Sequence, residues 1–323
     1  MSTAALKVSN LSIWFESGSD RRHAVDDISF SIEPGEATGL VGESGCGKTV
    51  TALAILGLLP ASGVQVKSSG IEVNGKDVSS LSAAQRREFL GRDIAMIFQQ
   101  PGTALDPVFT LGQQISAVYR RHVGGGRAHI RRSMLDSLEA VGFSQAEEIA
   151  AAYPHQLSGG MRQLAMIAMA TVCKPAVIIA DEPTTSLDSS TRALILQQLE
   201  RLQRLHQTAI LLISHDLSVV RQCCREVMVM YCGRLLEKTD CESLFSNARH
   251  PYSAGLLSCI PHISETRPSP IKPIPGQVPM VTDLPPGCHF APRCPRAESQ
   301  CRQSVPGFDS DGGQGVACFR PLP

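Results

Sequence analysis

Neither sign of charge is in excess: 30 basic residues face 30 acidic ones, for a formal net charge of zero. Nothing in that balance supplies the basic footprint of a nucleic-acid binder. No apolar run approaches the ~18 residues that a membrane-spanning helix needs. Residues 1–10 lack the apolar core of a secretory signal. A cytoplasmic protein is therefore expected, reaching any membrane role through a partner. There is no internal duplication either, so a chain of 323 residues reads as one large domain plus an appendage.

Against those absences stands one dense motif, Gly42-Glu43-Ser44-Gly45-Cys46-Gly47-Lys48-Thr49. An apolar run ending at Leu40-Val41 precedes it and a helix-like run over 50–59 follows. Strand, glycine turn and helix are the context that a phosphate-binding loop requires. Glycines let successive backbone N–H groups curl around an anion, and the helix N-terminus adds partial positive charge. Lys48 is placed to reach the outer phosphates and Thr49 to hold Mg²⁺. Cys46 sits inside the loop at a helix N-terminus, a position that favours thiolate, or simply fits there as a small residue.

Elsewhere the texture is α/β. Residues 6–15 alternate apolar and polar with a one-residue slip, predicting a bulged strand that carries Phe15. Strands are expected over 24–32, 36–41, 69–73 and 94–98, with a turn at Asn74-Gly75 and a helix over 83–90. From 112 to 152 the pattern is helical only, marking an inserted helical subdomain. Strands return at 176–181, 209–213 and 227–231, with an amphipathic helix over 191–206. Repeated strand–helix units of this kind predict a parallel sheet.

Three further stretches bear chemistry. Asp181-Glu182 closes a buried strand: next to a phosphate loop, Asp181 suits Mg²⁺ and Glu182 suits activation of the attacking water. His215 follows the strand 210–213, at the carboxyl end where open α/β sheets bind ligands. Leu157-Ser158-Gly159-Gly160-Met161-Arg162-Gln163 opens a helix with Ser158 as N-cap, a second anion-facing helix start. With one phosphate site already complete, this second one suggests service to another chain's nucleotide.

In this order the motifs resemble those of the ATP-binding subunits of ABC transporters: loop 42–49, Gln99 after a buried strand, 157–163, Asp181-Glu182, Ser186-Leu187-Asp188 and His215, over roughly residues 6–260. The resemblance implies a P-loop NTPase with a RecA-like core, an N-terminal antiparallel β subdomain and a helical subdomain at approximately 100–170, all within 1–250. By the same resemblance ATP is held by Phe15 stacking on adenine, by the loop residues Gly42, Glu43, Ser44, Gly45, Cys46, Gly47, Lys48 and Thr49, and by Thr51. Mg²⁺ falls to Thr49, Gln99 and Asp181; Glu182, His215, Gln99 and Lys48 are catalytic. Ser158, Gly159, Gly160 and Gln163 would close over ATP held by the opposite protomer, with Asp188 across the dimer interface. The partners implied are a second ATPase subunit (a copy or a paralogue), two membrane permease subunits and an external solute-binding protein. The place implied is the cytoplasmic face of the inner membrane. A non-transport ABC ATPase of the DNA-repair or translation kind is the alternative, though those generally carry two nucleotide domains or a coiled-coil insertion. A P-loop kinase or GTPase explains neither 157–163 nor His215.

The tail, 251–323, narrows the subgroup. Seven of the eleven cysteines are scattered and read as free thiols, whereas Cys288, Cys294, Cys301 and Cys318 crowd the end. Eight prolines between 261 and 287 predict an extended connector before them. His250-Pro251-Tyr252-Ser253 and the run Gly287 to Pro295 resemble the C-terminal extension of the oligopeptide, dipeptide and nickel permeases, with Ser253 where threonine is usual. Peptide import, or import of nickel or a metal chelate, is the implied task. The four cysteines are spaced by five, six and sixteen residues. Disulfides are disfavoured in a cytoplasmic setting, and zinc knuckles start from closer pairs. A [4Fe–4S] cluster tolerates looser spacing and is thought to occur in some members of the subgroup. Iron–sulfur, zinc and no metal all stay open.

Overall fold

Five residues in a row are buried in the strand Ala37–Val41, as they must be where a strand is covered on both faces. In the computed structural model, which describes residues 3–17, 20–185, 187–260, 273–311 and 314–323, the strand feeds straight into the glycine loop. The chain forms two compact units, one of residues 1–7, 31–37 and 71–212, the other of 8–30, 38–70 and 213–323. The C-terminal extension thus does not stand as a unit by itself; it belongs with the phosphate loop.

The first unit contains the parallel pair Ile94–Ile97 and Val177–Asp181, with Ala209–Ser214 next to the latter. The expected hairpin is present, Gly70–Val73 against Lys76–Asp77, and both turn residues have positive φ, 49° at Asn74 and 73° at Gly75. That conformation suits an Asn-Gly pair. The predicted helical insertion is Leu111–His122, Arg127–Ala140, Ala146–Ala151 and Gly159–Thr171. Thr110 and Gln113 close the first of these with a capping box, and Leu111, Ile115, Ile130, Met134 and Leu138 are buried among the helices.

In the second unit, Thr38–Val41 pairs parallel with Glu226–Val229, and Glu226–Tyr231 pairs antiparallel with Arg234–Asp240. The tail extends this run: Gln314–Val316 adds to Arg234–Asp240, and Asp309–Asp311 to that in turn. Val64–Lys67, a strand with no clear sequence pattern, pairs with the strand Leu6–Ser17 opposite residues 12–15. The slip expected in that strand is at Asn10, whose φ is 48° and whose side chain donates to Asp27. Three short helices, Leu217–Cys223, Cys241–Asn247 and Pro251–Ser258, start on Asp216, Asp240 and His250 respectively. His250-Pro251 is an N-cap followed by proline at the first helical position, where its missing N–H costs nothing.

Among the described residues no helix is long and apolar enough to cross a membrane. Part of the proline-rich connector, 261–272, and Ser186 lie outside the described residues.

Glu237, 1 % exposed, holds the start of the extension by accepting from the N–H groups of Arg249 (2.7 Å) and His250 (2.9 Å). Glu237→Ala leaves the buried His250 N–H without its partner, which should cost about 1–3 kcal/mol. A lowered urea midpoint with an unchanged m-value checks this.

Candidate functional site

The second unit carries the phosphate loop. Gly42 (φ 153°) passes so close to the neighbouring strand that a Cβ would lie 2.1 Å from the Met230 carbonyl oxygen. At Gly47 (φ 109°) a Cβ would meet the Ala24 carbonyl at 2.7 Å. Glycine is required at both. Gly47 ends the loop and the helix Lys48–Leu56 begins. Lys48 is buried, its ammonium donating to the carbonyls of Gly42 (2.7 Å) and Glu43 (3.1 Å). Ser44, Gly45 and Thr49 are exposed.

Three positions in or just after the loop are engaged by the protein itself. Thr51 is wholly buried and its hydroxyl donates to the Gly47 carbonyl at 2.9 Å, which braces the helix start. Glu43 turns its backbone N–H away, donating to Tyr252 Oη at 2.9 Å, while its carboxylate receives both terminal nitrogens of Arg293. Cys46 is 1 % exposed, and burial pushes its thiol up despite the opposing pull of Lys48. Burial outweighs the helix N-terminus here, so the thiolate is not favoured.

Phe15, at 38 % exposure, presents an open ring on its strand. His215 is exposed just beyond the strand Ala209–Ser214, followed by Asp216, which caps the next helix by accepting from Ser218 N–H at 3.0 Å.

The first unit brings the acidic pair and Gln99 together. Asp181 ends its strand 3 % exposed, and Glu182 follows with φ 48°, in the left-handed region. A non-glycine residue there costs on the order of 1 kcal/mol and is held by its surroundings. Glu182 Oε2 accepts from Gln99 Nε2 at 2.9 Å and from Thr185 Oγ1 at 3.0 Å, which fixes the carboxylate's orientation.

The second anion-facing start is built as expected at Ser158, whose Oγ accepts from Met161 N–H at 3.3 Å. Space around Gly159 is open, whereas at Gly160 a Cβ would lie 2.5 Å from Thr191 Cγ2. Thr191 Oγ1 donates to Asp188 at 2.8 Å, so the glycine turn and Asp188 share a neighbour. Asp188 also accepts from the Ser190 hydroxyl and, as N-cap, from the N–H groups of Ser190 and Thr191; these bonds, the Ser190 hydroxyl's foremost, hold its carboxyl far below the usual range. Gln163 is 2 % exposed, on the inward face of its helix in this single chain.

In the extension, Cys288, Cys294, Cys301 and Cys318 all line one cavity, with His250, Arg296 and Arg320. The backbone bond from Cys288 N–H to the Cys301 carbonyl, 2.8 Å, ties two of them. Burial pushes the Cys288 thiol up to about 11. Among the described residues, no three His, Cys, Asp or Glu side chains are grouped to hold a single metal ion directly.

Sequence comparison matches residues 25–185 to the family described as ABC transporter and residues 236–301 to the oligopeptide/dipeptide transporter C-terminal region. An oligopeptide transport ATP-binding protein of Bacillus subtilis, AppD, is 43 % identical over 97 % of this chain and 96 % of its own. The dipeptide transport ATP-binding protein DppD of Escherichia coli is 42 % identical over 99 % and 97 %. The chain belongs to the ATP-binding subunits of ABC transporters. As a member of this ATPase family it has the cassette fold, α/β with an antiparallel β subdomain and a helical insertion. A dimeric ATP-binding cassette solved with ADP and phosphate matches with a TM-score of 0.65, covering 73 % of this chain and 98 % of its own at 24 % identity, and bears on the fold alone.

Sequence reasoning missed Arg293, Tyr252 and Tyr231 as neighbours of the ATPase loop. The available signal was Glu43 itself, since a carboxylate inside a phosphate loop needs a counter-charge.

With a raised pKa, Cys46 holds less thiolate at neutral pH than an ordinary cysteine, and its burial excludes reagent. Iodoacetamide at pH 7.5 should modify the Cys46 peptide more slowly than an exposed thiol by about tenfold or more, rising on denaturation, as followed by mass spectrometry.

Proposed function

We propose that the chain powers import of peptides, acting as a pair with a second copy or a paralogue on the cytoplasmic face of two membrane permease subunits, fed by an external solute-binding protein. The carrying observation is similarity along nearly the whole chain to oligopeptide and dipeptide transport ATP-binding proteins, extension included. Those names favour peptides over nickel or another chelate as cargo.

In this reading the reaction is ATP plus water to ADP plus phosphate. Phe15 stacks on adenine; Lys48 and the backbone of Ser44, Gly45, Cys46 and Gly47 hold the phosphates. Thr49, Gln99 and Asp181 offer oxygen donors of the hard type that suit Mg²⁺, which when bound would offset charge on the phosphates. Glu182 accepts the proton of the attacking water, its carboxylate aimed by Gln99 and Thr185. His215 donates a ring N–H to the γ-phosphate. Ser158, Gly159 and Gly160 cover the opposite protomer's ATP, with Asp188 at the interface. Stabilising the closed pair by ATP, and releasing it on hydrolysis, is a population shift set by differential affinity.

For the extension we favour a [4Fe–4S] cluster on Cys288, Cys294, Cys301 and Cys318, with zinc as the rival. Support comes from four thiols on one cavity, with Arg296 and Arg320 to offset the charge of thiolates. Its role would be structural, pinning the tail.

Glu182→Gln should keep ATP binding while phosphate release falls about 10²-fold or more; near-normal turnover would overturn the assignment of the base. Uptake of a labelled dipeptide by cells carrying the intact transporter, lost with Glu182→Gln, tests the cargo. Anaerobic purification should yield about four irons per chain with matching acid-labile sulfide. One zinc per chain without iron would overturn the cluster.

A further inference from the structure

Glu43 poses an electrostatic problem: a carboxylate in the loop that binds a polyanion would repel it. The structure shows two grips on this one residue, both from the C-terminal extension. Arg293, with a side chain 4 % exposed, forks onto the carboxylate with N···O distances of 2.7 and 3.1 Å. The guanidinium is itself aimed by the Pro275 carbonyl, 2.9 Å from Nε, and by Tyr231 Oη at 3.3 Å. Tyr252 Oη receives the Glu43 backbone N–H at 2.9 Å. The Tyr252 ring is wholly buried against Tyr231 and Phe290, at centroid distances of 4.6 and 5.2 Å. Burial also pushes its phenol up, so the oxygen stays neutral.

We propose that Arg293 and Tyr252 are positioning residues for ATP binding, by which the C-terminal extension neutralises and aims the phosphate loop. Arg293 cancels the charge that would oppose the phosphates, and a planar fork holds the carboxylate in one direction, as a lysine could not. Tyr252 fixes the peptide plane at the loop's second residue, so the donors that follow point inward. Neither side chain touches the nucleotide; both act through Glu43. The inference rests on the reading that ATP occupies the loop 42–49.

The test is ATP affinity of the full-length protein, measured by calorimetry, with folding checked by circular dichroism. Arg293→Ala should raise the ATP Kd about tenfold or more, because it leaves an unpaired carboxylate beside the phosphates. Adding Glu43→Gln to that variant should restore affinity to within about threefold of wild type. A role confined to holding the tail together predicts no such rescue, and its absence would overturn the proposal. Arg293→Lys keeps the charge but loses the fork, and should give a smaller rise, about threefold. Tyr252→Phe removes one oxygen atom and should weaken binding by a similar factor. If Arg293→Ala does not fold, the lysine and phenylalanine variants decide: wild-type affinity in both overturns the proposal. Failure of the wild type to bind ATP would overturn the nucleotide reading and this inference with it. Wild-type binding that Arg293→Ala leaves unchanged would overturn only the inference.

Discussion

The phosphate loop depends on one close approach of backbone to backbone. Gly42 passes the Met230 carbonyl at a distance no side chain permits, and this is possible because Thr38–Val41 and Glu226–Val229 run parallel in register. The strand that supplies that carbonyl ends at Tyr231, and Cys232 follows in the turn. Tyr231 packs on Phe290 and bonds to Arg293, and the Cys232 carbonyl bonds to His289 Nδ1 at 3.0 Å. A single strand thus meets the loop through Met230 and the extension through Tyr231.

The acidic pair is held by a different device. Asp181 is set by a fully buried strand, whereas Glu182 occupies a conformation that side chains avoid. Strain of this kind persists only where the surroundings over-determine it. Gln99 and Thr185 both donate to one oxygen of the Glu182 carboxylate and so set the side chain's direction. Asp188, by contrast, spends its carboxylate on capping the helix Ser189–His206, through bonds that are all local.

Residues whose role is set by local stereochemistry were legible in the sequence. Gly42, Gly47 and Lys48 mark a loop because no other residues fit it, and Ser158 announces a helix start in any context. The strands are apolar over 94–97 and 177–180 because both faces are covered, and the second ends on Asp181. Facing was not legible. A motif does not say which way the helix after it turns its residues, and Thr51 and Gln163 are both buried. What was invisible was long-range pairing. Arg293 sits between a proline and a cysteine with no periodicity around it, and Val64–Lys67 and Gln314–Val316 are strands only because of the partners they meet. The helices capped by Asp216 and Asp240 went unread, because seven residues leave too little periodicity to mark a helix.

Arg293 and Glu43 are 250 positions apart. During synthesis at about 5–20 residues per second, the phosphate loop leaves the ribosome roughly ten to fifty seconds before its counter-charge exists. Through that interval the glycines and Lys48 are present while Glu43 still lacks Arg293. The ion pair is completed only in the last tenth of the polypeptide. A chain cut short before Arg293 retains each residue of the hydrolytic motif and lacks this pairing. The charge balance of the loop is thereby set near the other end of the polypeptide.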